Sequence, residues 1–214
     1  MAIFKSLLLG KIHNSVANLC MYERDGVNIV RGLPLKVHDA QTPVQLAQRA
    51  RMKMLRHLTR ILEGVVKKGY PSASLLQAGN GFVKRNMKQM VVDEKYQVSY
   101  DPRLLRLSSG ELNPPEVSAS FDRESGCVTF VQQRQALKPL APDDDRVYGI
   151  VWVTNDCKYQ IVPLKLRGEA ASSVVPIAPS ILKNEFQVYA FTVSANGRKT
   201  SETVWLCEGK GGCS

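Results

Sequence analysis

Arg49, Lys53, Arg56, Arg60 and Lys67 recur three, four or seven residues apart. At about 100° per residue they fall on one helical stripe roughly 60° wide. Such a stripe suits a phosphate backbone or an acidic protein surface. Like charges four apart, Arg49/Lys53 and Arg56/Arg60, repel by about a few tenths of a kcal/mol each. An anion outside the helix should offset that repulsion: nucleic acid, an acidic partner, or an acidic patch elsewhere in the fold. The alternative is a solvated face, the ordinary fate of a charge run. Arg51 differs, because it falls within the apolar side of the same helix. A buried guanidinium needs a carboxylate or carbonyls, so Arg51 is expected to be structural.

Signatures of catalysis are sparse, and no catalytic residue, metal site or cofactor is expected. Gly10-Lys11 lacks the preceding glycine and following Ser or Thr of a phosphate loop, and Gly79-Asn80-Gly81 lacks the third glycine of a dinucleotide fingerprint. His13, His38 and His57 lie far apart without metal-ligand spacing. Asp143-Asp144-Asp145 reads as a solvated turn, since it lacks the glycine and spaced ligands of a calcium loop. Cys20, Cys127, Cys157, Cys207 and Cys213 form an odd set without a CxxC pair, which signals neither zinc nor a disulfide framework. An enzyme built from pairs that only folding brings together is the remaining alternative.

The elements that position these residues follow from local pattern. Val16–Tyr22 and Val27–Arg31 are short β-prone runs, and Asp25-Gly26 between them argues for a two-residue hairpin. That turn sets Tyr22 opposite Ile29 and Cys20 opposite Arg31. Thr42-Pro43-Val44-Gln45 reads as a helix cap with Pro at the first helical position and Gln at the third. The helix is expected to run to about Lys68, with Gly69 just past its end. Its apolar face is Ala47, Met54, Leu55, Leu58, Ile61, Leu62 and Val65. A second helix should cover part of Ser74–Val91, broken or delayed by Gly79-Asn80-Gly81. Beyond Tyr96 the period changes to two. Strands are expected at 116–121, 127–134, 146–154, 159–167, 185–194 and 201–206, with Asn196-Gly197 as a tight type I′ turn.

The 214 residues are 44% apolar and 22% charged, an ordinary globular mix that excludes collagen-like, coiled-coil and fully disordered chains. There are 29 Lys and Arg against 19 Asp and Glu, a formal +10. Residues 1–100 carry 16 cations and 6 acids, and residues 101–214 carry 13 of each, so the whole excess lies in the first hundred. No signal peptide and no membrane span is read, which implies a cytoplasmic protein. The fold class expected is α+β: a basic β-hairpin plus helix module over 1–112, an antiparallel Ig-like β-sandwich over 113–207, and a flexible Gly-rich tail over 208–214. Leu112-Asn113-Pro114-Pro115 is the expected linker, and a fragment beginning near Asn113 should fold alone.

MAIFK, VNIVRGLPLKV, TPVQLAQRARM and YAFTVSANGRKTSETVW together resemble an uncharacterised Bacteroidota family, a domain of unknown function. The resemblance runs over nearly the whole chain and is most specific between Ile29 and Met52. It implies a helical front and an Ig-like back. It implies no activity, although some family members occur in phage or mobile-element settings. Charge and architecture together point to a non-enzymatic structural, assembly or binding protein. Its partner would be another protein or further copies of itself, met through the stripe. The alternative is a nucleic-acid-binding protein in which the stripe and a hairpin arm at Arg24, Arg31 and Lys36 track phosphates without strong sequence specificity.

Overall fold

The structure, a computed structural model, describes residues 2–4, 14–16, 18–24, 26–33, 39–154, 158–178, 181 and 184–210. It is α+β with antiparallel sheets and divides into two compact units, 1–42 and 43–214. The first is a four-stranded sheet of β1 (Ala2–Phe4), β2 (Asn14–Val16), β3 (Leu19–Arg24) and β4 (Val27–Gly32), in the order β1-β4-β3-β2. Arg24 pairs with Val27, so two residues make the turn, and Gly26 supplies the left-handed φ of +77°. Tyr22 lies opposite Ile29 and Cys20 opposite Arg31, the register the sequence requires. Asp25 itself lies outside the described residues. Strands β1 and β2 flank the hairpin on its two sides and give it the support a lone hairpin lacks.

In the second unit, helices α1 (Pro43–Ile61), α2 (Glu63–Gly69) and α3 (Leu75–Asn86) come first. A short pair, β5 (Val91–Val92) and β6 (Val98–Ser99), follows. Then come β7 (Val117–Asp122), β8 (Cys127–Gln132), β9 (Arg146–Val153), β10 (Tyr159–Leu166), β11 (Ala171–Pro176), β12 (Glu185–Val193) and β13 (Val204–Lys210). They form an open four-stranded sheet, β10-β9-β12-β13, and an open three-stranded one, β11-β8-β7. Strands β9 and β12 are apolar along nearly their whole length, the pattern of a sheet covered on both faces. Ile150, Trp152, Tyr189 and Phe191 pack under Leu55, Leu58, Leu62, Val65 and Phe82 of the helices. Val151, Val153, Phe186 and Val188 point the other way, onto Val128 and Phe130 of β8. The layers are therefore helix, four strands, three strands.

The helix expected from Thr42 to Lys68 begins at Pro43 but is broken at Leu62. The cause is local: the Gly64 N–H donates to the Tyr159 hydroxyl (3.2 Å), so a side chain of β10 enters the helical ladder. Only glycine leaves room, since a Cβ there would lie 2.6 Å from that hydroxyl. Gly69 is the last residue of α2 and has no left-handed φ, so it is not the expected cap. It is small because the chain at Leu107–Ser108 crosses it. Helix α3 passes through Gly79-Asn80-Gly81 unbroken, capped by the Ser74 hydroxyl, which accepts from the Gln77 N–H. There too the glycines serve close packing, Gly79 against Thr59 and Gly81 against the Tyr70 ring.

The six expected strands are present, but β11 and the short strands β1, β2, β5 and β6 were not foreseen. Strand β11 is an edge strand ending at Pro176, and that proline in an uncharged run hides it. At Asn196-Gly197 only Gly197 has positive φ (+70°), and Gly197 N bonds Ser194 O within a four-residue loop, so the turn is not type I′. The tail begins later than residue 208, because Glu208, Gly209 and Lys210 pair with Gln187, Phe186 and Glu185.

The boundary expected at Leu112/Asn113 falls inside the second unit. Leu112 is buried and bridges Ser201, Asn113 N bonds Leu140 O, and Pro115 is buried, so this segment is packed structure. Two predictions follow from the layering. A fragment 113–214 would bare the helix-facing side of the central sheet, including Trp152 and Tyr189, and is expected not to fold, whereas 43–214 should unfold cooperatively in urea. Gly69→Ala places a Cβ 2.2 Å from the Leu107 carbonyl oxygen, a backbone atom that cannot step aside, and should cost about 2–3 kcal/mol by chemical denaturation.

Candidate functional site

Residues 43–89, the helical layer, hold ten Lys and Arg and a single acid, Glu63, a net +9. Helix α1 turns Leu55 and Leu58 into the core, which leaves its cations outward. Arg49, Lys53 and Arg60 are exposed on α1, and Lys67 is exposed on α2, beyond the break at Leu62. Arg56 is half-buried, and its Nη2 donates to Asn80 Oδ1 of α3 at 2.7 Å. The five residues of the stripe are thus not one open surface. Arg51 is structural, as its place in the apolar face implies, with Nε donating to the Met90 carbonyl at 3.0 Å.

Three clefts carry the remaining charge. Lys53 borders one of about 420 Å³ with His57, Tyr96 and Gln97. Lys84, Arg85 and Lys88 border another, about 530 Å³, beside Tyr70 and Ser109. Burial pushes the Tyr70 hydroxyl far above its ordinary value, and it donates to the Arg106 carbonyl, so it is a fixed wall and not a proton donor to a ligand. The third, about 470 Å³, joins α2 to the sheet: Gly64, Lys67, Lys68, Arg146, Tyr148 and the turn at Ser194–Gly197. Lys68 Nζ sits 4.8 Å from the Tyr148 ring centroid. Arg146, eighty residues away in the chain, shows no sequence signal tying it to Lys67 and Lys68; only the packing of α2 on the end of β9 brings them together.

Elsewhere the fold supplies partners for its cations. Arg103 meets Glu208 at 3.1 Å and lies over Trp205, Arg106 meets Glu202, and Lys199 meets Glu111. Arg167 and Asp145 are both buried, with Nε 3.3 Å from Oδ2, and Arg167 also donates to Gln135 Oε1 and to the Asn113 carbonyl. The aspartate run is therefore a turn only at Asp143 and Asp144, which are exposed. Among the described residues no group of three or more His, Cys, Asp or Glu could hold a metal ion. Cys207 is half-buried in β13, where burial pushes its thiol up. Arg24 and Arg31 lie on the hairpin of the first unit, Arg31 over the Tyr22 ring. Lys36, His13, His38, Cys157 and Cys213 lie outside the described residues. No helix among the described residues is long and apolar enough to cross a membrane.

Burial raises the Asp145 carboxyl above its ordinary 3.8, and the Arg167 guanidinium opposes that rise. A raised folded-state value means that the carboxyl favours folding fully below pH 3.8 and loses that contribution as pH climbs through the folded value. Arg167→Leu removes the opposing charge and leaves the carboxylate buried alone. It should cost about 3–5 kcal/mol at neutral pH, with a smaller deficit near pH 4, measured by urea denaturation across that range.

No protein-family model matches the sequence, and comparison with curated proteins and with solved structures finds no match to either.

Proposed function

We propose that the protein is a non-enzymatic binding or assembly protein whose basic helical layer meets an anionic partner. The observation that carries this reading is the +9 of residues 43–89, on helices whose apolar faces are spent on the central sheet. The charge on their outer side remains for a partner. The back of the molecule fits an Ig-like sandwich. Lettered in chain order from β7 to β13, its sheets are A-B-E and D-C-F-G, the constant-type order with the fourth strand moved to pair with the third. Such a sandwich offers edges and loops for protein contacts, and a virion or mobile-element component would use both halves. That setting comes from the family resemblance.

The second reading is a nucleic-acid-binding protein, favoured by the single acid among ten cations of the layer. Tyr96 is the exposed large aromatic among the described residues, so a stacking platform is lacking and contacts would go to the backbone. The test reverses Lys53, Arg60, Lys84 and Lys88 to Glu, all exposed, and leaves the tethered Arg51 and Arg56 alone. The wild-type protein should bind an acidic protein partner or assemble with itself, and the variant should fail to co-sediment. Duplex or single-strand binding that falls steeply with salt, and drops at least tenfold in the variant, would establish the nucleic-acid reading instead. A variant that keeps its assembly state and its nucleic-acid behaviour would remove both.

A further inference from the structure

The Lys67–Lys68–Arg146 cleft differs from the other basic surfaces in how it is built. Lys84, Arg85 and Lys88 come from one short stretch of chain, the last turn of α3 and the single turn that follows it. Lys67 and Lys68 come from the last turn of α2, and the fold brings Arg146 to them from the first residue of β9, far off in the chain. Arg146 is held by pairing on both sides, with Val193 of β12 and Leu166 of β10, so its starting point is rigid. No carboxylate lines the cleft, and none of the three cations has an acid within ion-pairing distance among the described residues. Lys68 rests on the Tyr148 ring, a contact that fixes the ammonium without using its N–H donors. Three cations brought together without an acid repel one another until an anion sits among them.

We propose that this cleft binds a phosphomonoester, its dianionic phosphate held by Lys67, Lys68 and Arg146. Three positive charges match a dianion better than the single charge of a backbone diester. Tyr148 and Val193 give an apolar wall for the organic part, and Gly64 and Gly197 also line the cleft. The volume, about 470 Å³, is that of a small-molecule site. The proposal rests on the reading of the helical layer as an anion-binding surface and narrows it to one ligand class at one place.

The test titrates the full chain with phenyl phosphate, inorganic phosphate and dimethyl phosphate, followed by amide NMR shifts and calorimetry. Phenyl phosphate should bind saturably and shift the Gly64 and Gly197 amides. Dimethyl phosphate should bind at least tenfold more weakly. Arg146→Gln and the exposed Lys67→Gln should each weaken phenyl phosphate at least tenfold with unchanged spectra of the core. The variant reversed at Lys53, Arg60, Lys84 and Lys88 should bind phenyl phosphate like wild type even where it loses its macromolecular partner, which separates failure of this site from failure of the larger surface. Absence of saturable binding at millimolar phenyl phosphate, or saturable binding unchanged in both single variants, would overturn the proposal. Inorganic phosphate binding more tightly than phenyl phosphate would overturn the assignment to an ester.

Discussion

Ile150, Trp152, Tyr189 and Phe191 leave one face of the central sheet while Val151, Val153, Phe186 and Val188 leave the other, and neither set can be left in water. Each such side chain is worth roughly 1.5–3 kcal/mol when fully buried, so a sheet bare on either face loses an amount comparable to a domain's whole margin of stability. Two covers are required. The three-stranded sheet supplies one, and α1, α2 and α3 supply the other. This is why residues 43–112 belong with the strands that follow them.

The same requirement explains the glycines that pattern reading takes for turns and caps. Helices must lie close on the sheet and on one another, and Gly64, Gly69, Gly79 and Gly81 each stand where a Cβ would meet a neighbour at 3.0 Å or less. Gly64 goes furthest, since the space it leaves admits the Tyr159 hydroxyl to the Gly64 N–H just past the break at Leu62. Helix dipole and cap rules see only the chain on either side of such a residue. They cannot see Tyr159, which lies ninety-five residues away.

Sequence pattern succeeds in several places where the deciding partner is near in the chain, although the Asn196-Gly197 turn is an exception. The Tyr22/Ile29 register follows from a two-residue turn, and the apolar face of α1 follows from its period. Arg51 was legible because its angle alone puts it among Leu55 and Leu58. What stayed hidden is long-range: the Asp145–Arg167 pair inside what reads as a solvated acidic turn, the packed Leu112–Pro115 segment, and β11, whose Pro176 is tolerated because the strand is at an edge. The stripe was legible as a stripe but not as separate fates, since Arg56 is taken by Asn80 and Lys67 stands past the break.

Charge placement follows the layering too. Arg103, Arg106 and Lys199 each meet a glutamate, so these cations are neutralised where they stand. Exposed pairs of this kind add little stability and serve mainly to fix position. The helical layer has one glutamate among ten cations. An outer layer that needs its apolar side for the core has only its polar side to vary, and here that side is almost uniformly positive. Since neighbouring cations on one helix repel, the arrangement costs folding free energy that a mixed surface would not. The binding role proposed for the layer would account for that cost, because the field that destabilises the free layer is the field that would attract and orient an anionic partner.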